Sequence, residues 1–317
     1  MNLSASLTAH STATDRLVPP IRTALVLGGG GSAGNAWLIG VVAGLHEAGL
    51  DVSDADLIIG TSAGSTAAAQ ITGAAPADLL ADILAAPARP VGRPAARPAG
   101  AAGGPAPGRL TTDHLARMDA IIAASEDLAD WRRRMGAALD ADPASDDAAS
   151  ARWRATVETR LPGASWPERQ RVQITAVDAR TAEPVVFDRH SGVDLVDAVA
   201  ASCAGGFAYR IGDRRYIDGG YRRNADNADL AAGASRVLVL SPLGGRSRTP
   251  DAWGATLASQ VEELRAGGSE VETILPDGRS LSAFGDNMMN PATRPPAARA
   301  GYDQGRAMAD VLGEFWR

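Results

Sequence analysis

The chain has 317 residues, 45% apolar and 21% charged, with a formal net charge of −6, so it reads as a globular protein without the basic footprint of a nucleic-acid binder. Its 31 basic residues are all arginines, which removes the lysine that a Walker-type phosphate loop needs, and its one cysteine, Cys203, excludes an intramolecular disulfide and fits a reducing, cytoplasmic setting. No run approaches the ~18 apolar residues of a membrane span, and residues 1–20 lack the apolar stretch of a secretory signal.

In chain order, Met1–Arg22 is Ser/Thr-rich, ends near Pro19-Pro20 and reads as a flexible tail, leaving 23–317 as one domain. Thr23–Leu27 is a short apolar run, hence a buried strand. It enters Gly28-Gly29-Gly30-Gly31-Ser32-Ala33-Gly34, and helical sequence follows from about Ser32 to Ala48. Leu57–Ile59 is a second buried strand and runs into Gly60-Thr61-Ser62-Ala63-Gly64, after which helices are expected over Ala63–Gly73 and Pro76–Leu84. Ala85–Gly108 is rich in Pro, Ala, Gly and Arg, a composition that neither a buried helix nor a buried strand tolerates, and reads as a long loop inside the domain.

Thr111–Leu139 reads as one helix, Asp140–Ser150 as an acidic loop, and helix resumes to Leu161. Strands are expected at Arg171–Val177 and Pro184–Asp188, a helix at Val193–Cys203, and a turn at Asp218-Gly219-Gly220 between Arg214–Ile217 and Tyr221–Arg223. Val237–Ser241 is a buried strand, Val271–Leu275 another, and helices close the chain at Asp251–Arg265 and Ala297–Phe315. Short apolar strands alternating with helices give an α/β fold with a largely parallel central sheet flanked by helices. In such sheets, sites form at the carboxyl ends of strands, where Gly29–Gly31, Ser62 and Asp218 fall.

Three features carry chemistry. Gly60-Thr61-Ser62-Ala63-Gly64 has the G-x-S-x-G form of a nucleophile elbow, although a serine capping the next helix would look the same in isolation. The glycine loop offers unhindered N–H groups at a helix N-terminus, suited to an oxyanion, with Gly29, Gly30 and Gly31 as donors. It also satisfies G-x-G-x-x-G through Gly29, Gly31 and Gly34, the dinucleotide fingerprint. That reading wants an acid at the end of the second strand, whereas Asp51, Asp54 and Asp56 all precede it. The four histidines are His10, His46, His114 and His190, none in the last 127 residues, so the late base of a Ser–acid–His triad is missing. Asp218 is the alternative base, a carboxylate whose burial would raise its pKa into a useful range. Asp-Gly as a plain hairpin turn is its bland reading.

In this order the three elements resemble the patatin-like phospholipase family, whose pattern is a G-x-G-x-x-G loop, a G-x-S-x-G nucleophile and a D-G-[AG] aspartate, here Gly29–Gly34, Gly60–Gly64 and Asp218–Gly220. Gly40–Gly44 and Glu47-Ala48-Gly49 resemble bacterial members, and Ala297–Gly305 is similar to an actinobacterial subset. The resemblance implies a three-layer architecture and a Ser62–Asp218 dyad, supported by Gly34, Gly60, Gly64, Gly219 and Gly220. It also implies lipid carboxylic esters as substrate, peripheral contact with membranes, and no metal or organic cofactor. Departures are Ala33 in place of the family's Arg or Lys, Ala201-Ser202-Cys203-Ala204-Gly205-Gly206 without a proline, and Asn224-Ala225-Asp226 in place of N-x-P. A nucleotide-binding oxidoreductase and a catalytically silent lipid-binding protein remain the readings from other classes.

Overall fold

The computed structural model describes residues 20–85 and 112–317. The expected tail up to residue 19 and the Pro/Ala/Gly-rich segment from 86 to 108 lie outside the described residues. Strand β1 (Thr23–Leu27) leads through the glycine loop into α1 (Gly31–Glu47), and β2 (Leu57–Gly60) leads through Thr61-Ser62 into α2 (Ala63–Gly73) and then α3 (Pro76–Ala85). Next come α4 (Thr112–Ala123), α5 (Leu128–Asp140), α6 (Asp147–Glu158), β3 (Arg171–Asp178), β4 (Pro184–Phe187) and α7 (Leu195–Ser202). The chain continues with β5 (Tyr209–Ile211), β6 (Arg214–Asp218), β7 (Arg236–Leu240), α8 (Leu257–Ala266), β8 (Glu270–Ile274), α9 (Gly278–Phe284) and α10 (Arg294–Trp316).

The hydrogen-bonded path through the sheet is β5-β6-β3-β2-β1-β7-β8, with β4 also paired to β3. The pairs β3–β2, β2–β1, β1–β7 and β7–β8 are parallel, whereas β4 and β6 are antiparallel to β3 and β5 is antiparallel to β6. Side-chain alternation divides the strands between two layers. Leu25, Leu27, Ile58, Val172, Leu238 and Leu240 pack on one face with α1, α2, α7 and α10. Ala24, Val26, Leu57, Ile59, Val237 and Val239 pack on the other with α8 and a short 3-10 turn at Ala228–Ala231. Helix α1 is buried continuously from Ala33 to Leu45, which explains why it is apolar on all sides.

Several local expectations are corrected. The single helix over Thr111–Leu139 is two, because the Asp127 side chain accepts from the Asp130 N–H and starts α5. Asp140–Ser150 is not all loop, since Asp146 caps α6 in the same way. Helix α8 begins at Leu257, not Asp251. Gly254, with φ 63°, turns the chain before it, and Thr256 caps it. Tyr221–Arg223 does not continue as a strand, and the hairpin partner of β6 is β5, formed upstream. Helix α10 takes Pro295 and Pro296 into its first turn, where a missing N–H costs no helical bond.

Candidate active site

The geometry of β3 brings the two halves of the site together. Ala176 is paired with Val185 of β4 on one side and Asp218 of β6 on the other, and Ile174 is paired with Phe187 of β4 and Gly60 of β2. Strands β2 and β6 therefore share one edge of β3, end to end, with their carboxyl termini facing each other across Thr175. Two residues past Gly60 the chain turns out at Ser62, and Asp218 is the last residue of β6. Ser62 and Asp218, 156 positions apart, thus meet at one point of the sheet.

Ser62 has φ 52° and ψ −115°, a conformation that an L-residue holds only where its surroundings enforce it. The enforcement is visible. Gly64 packs on the backbone of Leu27 so closely that a Cβ would collide with the Leu27 carbonyl oxygen. Three consecutive residues at the end of α7 then grip both halves of the site. The Ser62 N–H donates to Ser202 Oγ at 2.9 Å, the Cys203 thiol donates to the Ser62 carbonyl at 3.1 Å, and the Asp218 N–H donates to the Ala204 carbonyl at 3.1 Å. Burial, followed by the nearby Asp218, pushes the Cys203 thiol up and keeps it a donor.

Below the sheet edge, a buried polar cluster ties the two strand ends to each other. Thr175 Oγ1 donates to Thr61 Oγ1 at 2.9 Å, and Asn227 Nδ2 donates to Thr61 Oγ1 at 3.0 Å and to the Gly219 carbonyl at 2.9 Å. Asn227 sits in the left-handed region with φ 52°. Gly219 approaches Thr175 so closely that a Cβ would strike its Oγ1. Neither Thr175 nor Asn227 stood out in the sequence, since both act through contacts distant along the chain.

Asp218 is partly exposed by surface area yet closely surrounded. Burial pushes its pKa up to about 6, against the lowering effects of the Gly220 N–H, which donates at 2.8 Å, and of a hydrogen bond from Ser62. Of the described histidines, His46 and His190 are exposed and bond to neither Ser62 nor Asp218, while for His114 only the backbone is described.

The expected glycine loop sits beside the elbow, with a Cβ at Gly29 falling 3.5 Å from Ser62 Cβ. Its donors are not equivalent. Gly29 is buried and its N–H is already bonded to the Ala225 carbonyl at 2.8 Å. Gly30 and Gly31 are partly exposed, and among the described residues their N–H groups meet no acceptor. The N–H of Ala63, the first of α2, is likewise unengaged among the described residues. Asp226, where the resemblance expects proline, is buried against Gly28, and among the described residues its Oδ1 has no hydrogen-bond partner. Burial pushes its pKa up to about 6, opposed by a hydrogen bond from Ser241.

Among solved structures, the fold is similar to VipD from Legionella pneumophila at 13% identity and TM-score 0.43, over 92% of this chain and 67% of that one. It is also similar to the type III effector ExoU at 14% identity and TM-score 0.37, covering 92% of this chain. A third match is the complex of SpcU with ExoU from the type III secretion system of Pseudomonas aeruginosa, at 17% identity and TM-score 0.33 over 90% of this chain. The chain spans about half the length of the two ExoU structures, 54% and 53%. No curated protein matches the sequence. The profile described as Patatin-like phospholipase matches residues 25–231, a span that includes the glycine loop, Ser62 and Asp218, and the chain therefore belongs to the patatin-like phospholipase family.

Proposed function

We propose that the protein is a serine acyl hydrolase that cleaves lipid carboxylic esters with a Ser62–Asp218 dyad. The observation that carries this reading is the placement of a serine at φ 52° on a strand-to-helix turn beside a carboxylate lifted to about 6. As Ser62 Oγ attacks the ester carbonyl carbon, its proton passes to the Asp218 carboxylate and the carbonyl electron pair moves onto oxygen. The N–H groups of Gly30 and Gly31 receive that oxyanion, joined by the N–H of Ala63, the residue after the nucleophile. Collapse breaks the bond to the leaving alcohol, which takes the proton from Asp218. Water then attacks the acyl-enzyme, giving its proton to Asp218, and the second collapse returns that proton to Ser62 as the carboxylic acid leaves.

The competing dinucleotide reading has little to support it. Ser62 follows the strand where a ribose-binding acid is needed, and Asp226 places a carboxyl against Gly28, at the loop that would have to receive a pyrophosphate.

Labelling with a fluorophosphonate probe, mapped to a residue, tests the proposal. The expected result is a single adduct on Ser62. Ser62→Ala should abolish both labelling and turnover of a short-chain nitrophenyl ester, and Asp218→Asn should abolish turnover with the fold retained. The wild-type rate should rise with pH through an inflection near 6, as Asp218 gives up its proton. Undiminished turnover in either variant overturns the dyad.

A further inference from the structure

Helix α10 lies beyond the matched span of the family, yet it reaches the site. It packs parallel to α1 through reciprocal glycines. A Cβ at Gly40 would collide with the Ala298 carbonyl and one at Gly44 with the Tyr302 carbonyl. From the other side, a Cβ at Gly301 would collide with the Trp37 carbonyl and one at Gly305 with the Val41 carbonyl. Backbones this close leave little freedom for one helix to slide on the other. The first residue of α10, Arg294, is thereby held over the first turn of α1. Its Nη1 donates to the Ser32 carbonyl at 3.2 Å and to Asn35 Oδ1 at 3.0 Å. Asn35 is buried and passes the contact on, its Nδ2 donating to Gln70 Oε1 at 2.9 Å and to the Ala63 carbonyl of the elbow at 3.4 Å.

Fold stability does not explain a cation here. Arg294 is largely buried, has no carboxylate partner among the described residues, and has a second guanidinium, Arg160, nearby. Burial and Arg160 together push its pKa down to about 10, so it stays charged at neutral pH. It also sits at the positive end of the α1 dipole, the end that favours anions. Both placements cost folding energy, and both favour a negative charge forming at Gly30 and Gly31, the two residues before Ser32.

We propose that Arg294 is a positioning residue for the oxyanion site. Through Ser32 and Asn35 it fixes the glycine loop relative to the Ser62 elbow, and it places behind the loop a positive charge that forms no ion pair among the described residues. The inference rests on the acyl-hydrolase reading and deepens it. Its guanidinium borders a cavity of about 360 Å³ that Gln70, Arg160 and the exposed carboxylates Asp78 and Asp82 also line, so a small cation has a route to the same place.

The experiment compares Arg294→Gln, Arg294→Lys, Arg294→Ala and Asn35→Ala with the wild type by ester kinetics, the rate of fluorophosphonate labelling at Ser62, and thermal unfolding. Arg294→Gln should lower kcat and the labelling rate by ~10- to 100-fold with KM nearly unchanged, the scale expected when reacting groups are misplaced by about 1 Å. Arg294→Lys should keep part of that rate, added guanidinium should restore part of the rate of Arg294→Ala, and adding Asn35→Ala to Arg294→Gln should cost less than the two singly. A loss confined to KM, or a loss that follows Tm with no rescue by guanidinium or lysine, overturns the inference. A labelled wild type with equally fast Arg294→Gln overturns the positioning role alone. An unlabelled wild type overturns the hydrolase reading and takes this inference with it.

Discussion

Two carboxyls near the Ser62 elbow, the half-buried Asp218 and the buried Asp226, are both held by desolvation at about 6 against an ordinary 3.8. Their consequences for stability have a definite sign. Between pH ~4 and ~6 the folded chain keeps protons on these groups that the unfolded chain has released, so stability falls as pH rises through that window and stays lower above it. Each shift corresponds to about 3 kcal/mol at most. For Asp218 the cost accompanies the base role proposed for it, which a pKa of about 6 suits. Asp226 has no such role in the proposed reaction, and among the described residues its Oδ1 has no hydrogen-bond partner beside Gly28. Asp226→Asn should therefore be more stable than the wild type above pH 6, by up to ~3 kcal/mol, with the gap closing below pH 4. Urea unfolding at a series of pH values reads this directly, and a difference independent of pH rules out titration of Asp226 as the source.

Among the elements, the α1–α10 pair sets the tightest tolerance. Four glycines let two helices touch backbone to backbone, and Trp37 locks the register by donating Nε1 to Ser280 Oγ at 3.0 Å and to Gln304 Oε1 at 3.2 Å. Gly44→Ala puts a methyl group into the Tyr302 carbonyl, so the helices must part. Helix propensity alone would make this change favourable by up to ~1 kcal/mol. Overpacking should reverse that sign and leave a net loss of ~1–3 kcal/mol in chemical denaturation. A stabilised Gly44→Ala would mean that the helices are not in contact at this point. The glycines were readable in the sequence only as matches to a family pattern, because their partners lie about 260 residues away. Where structure is local, the sequence was a sufficient guide: β1, the glycine loop and α1, then β2, Ser62 and α2, each carry their turn and their period within a dozen residues. It failed at Ala124–Asp127, where a side-chain cap outweighed continuous helix propensity, and at β5, three residues defined only by their pairing to β6.

At the scale of the whole molecule, the site belongs to more of the chain than the matched span of residues 25–231. Strand β1 pairs with β2 on one side and with β7 on the other, so without β7 it becomes an edge strand. The end of β7 also seats the glycine loop, since the Gly28 N–H donates to the Leu240 carbonyl at 3.0 Å and a Cβ at Gly30 would lie 2.6 Å from Pro242 Cβ. Further on, the Met288 carbonyl accepts from the Ala33 N–H at 2.9 Å, and α10 covers one side of the buried α1. The meeting of Ser62 and Asp218 across β3 depends on this frame, because β2 can hold its place against β3 only while β1 holds against β2. A chain ending at residue 231 keeps every motif residue but exposes one edge of β1 and the α10-facing stripe of α1. Removing that much apolar contact exceeds the 5–15 kcal/mol that holds a typical domain together. The truncated chain should show no cooperative melting transition, lose near-UV circular dichroism, and leave Ser62 unlabelled by a fluorophosphonate. A soluble fragment that melts sharply and labels at Ser62 would instead place the minimal site within the matched span, with β7, β8 and α10 as accessory layers.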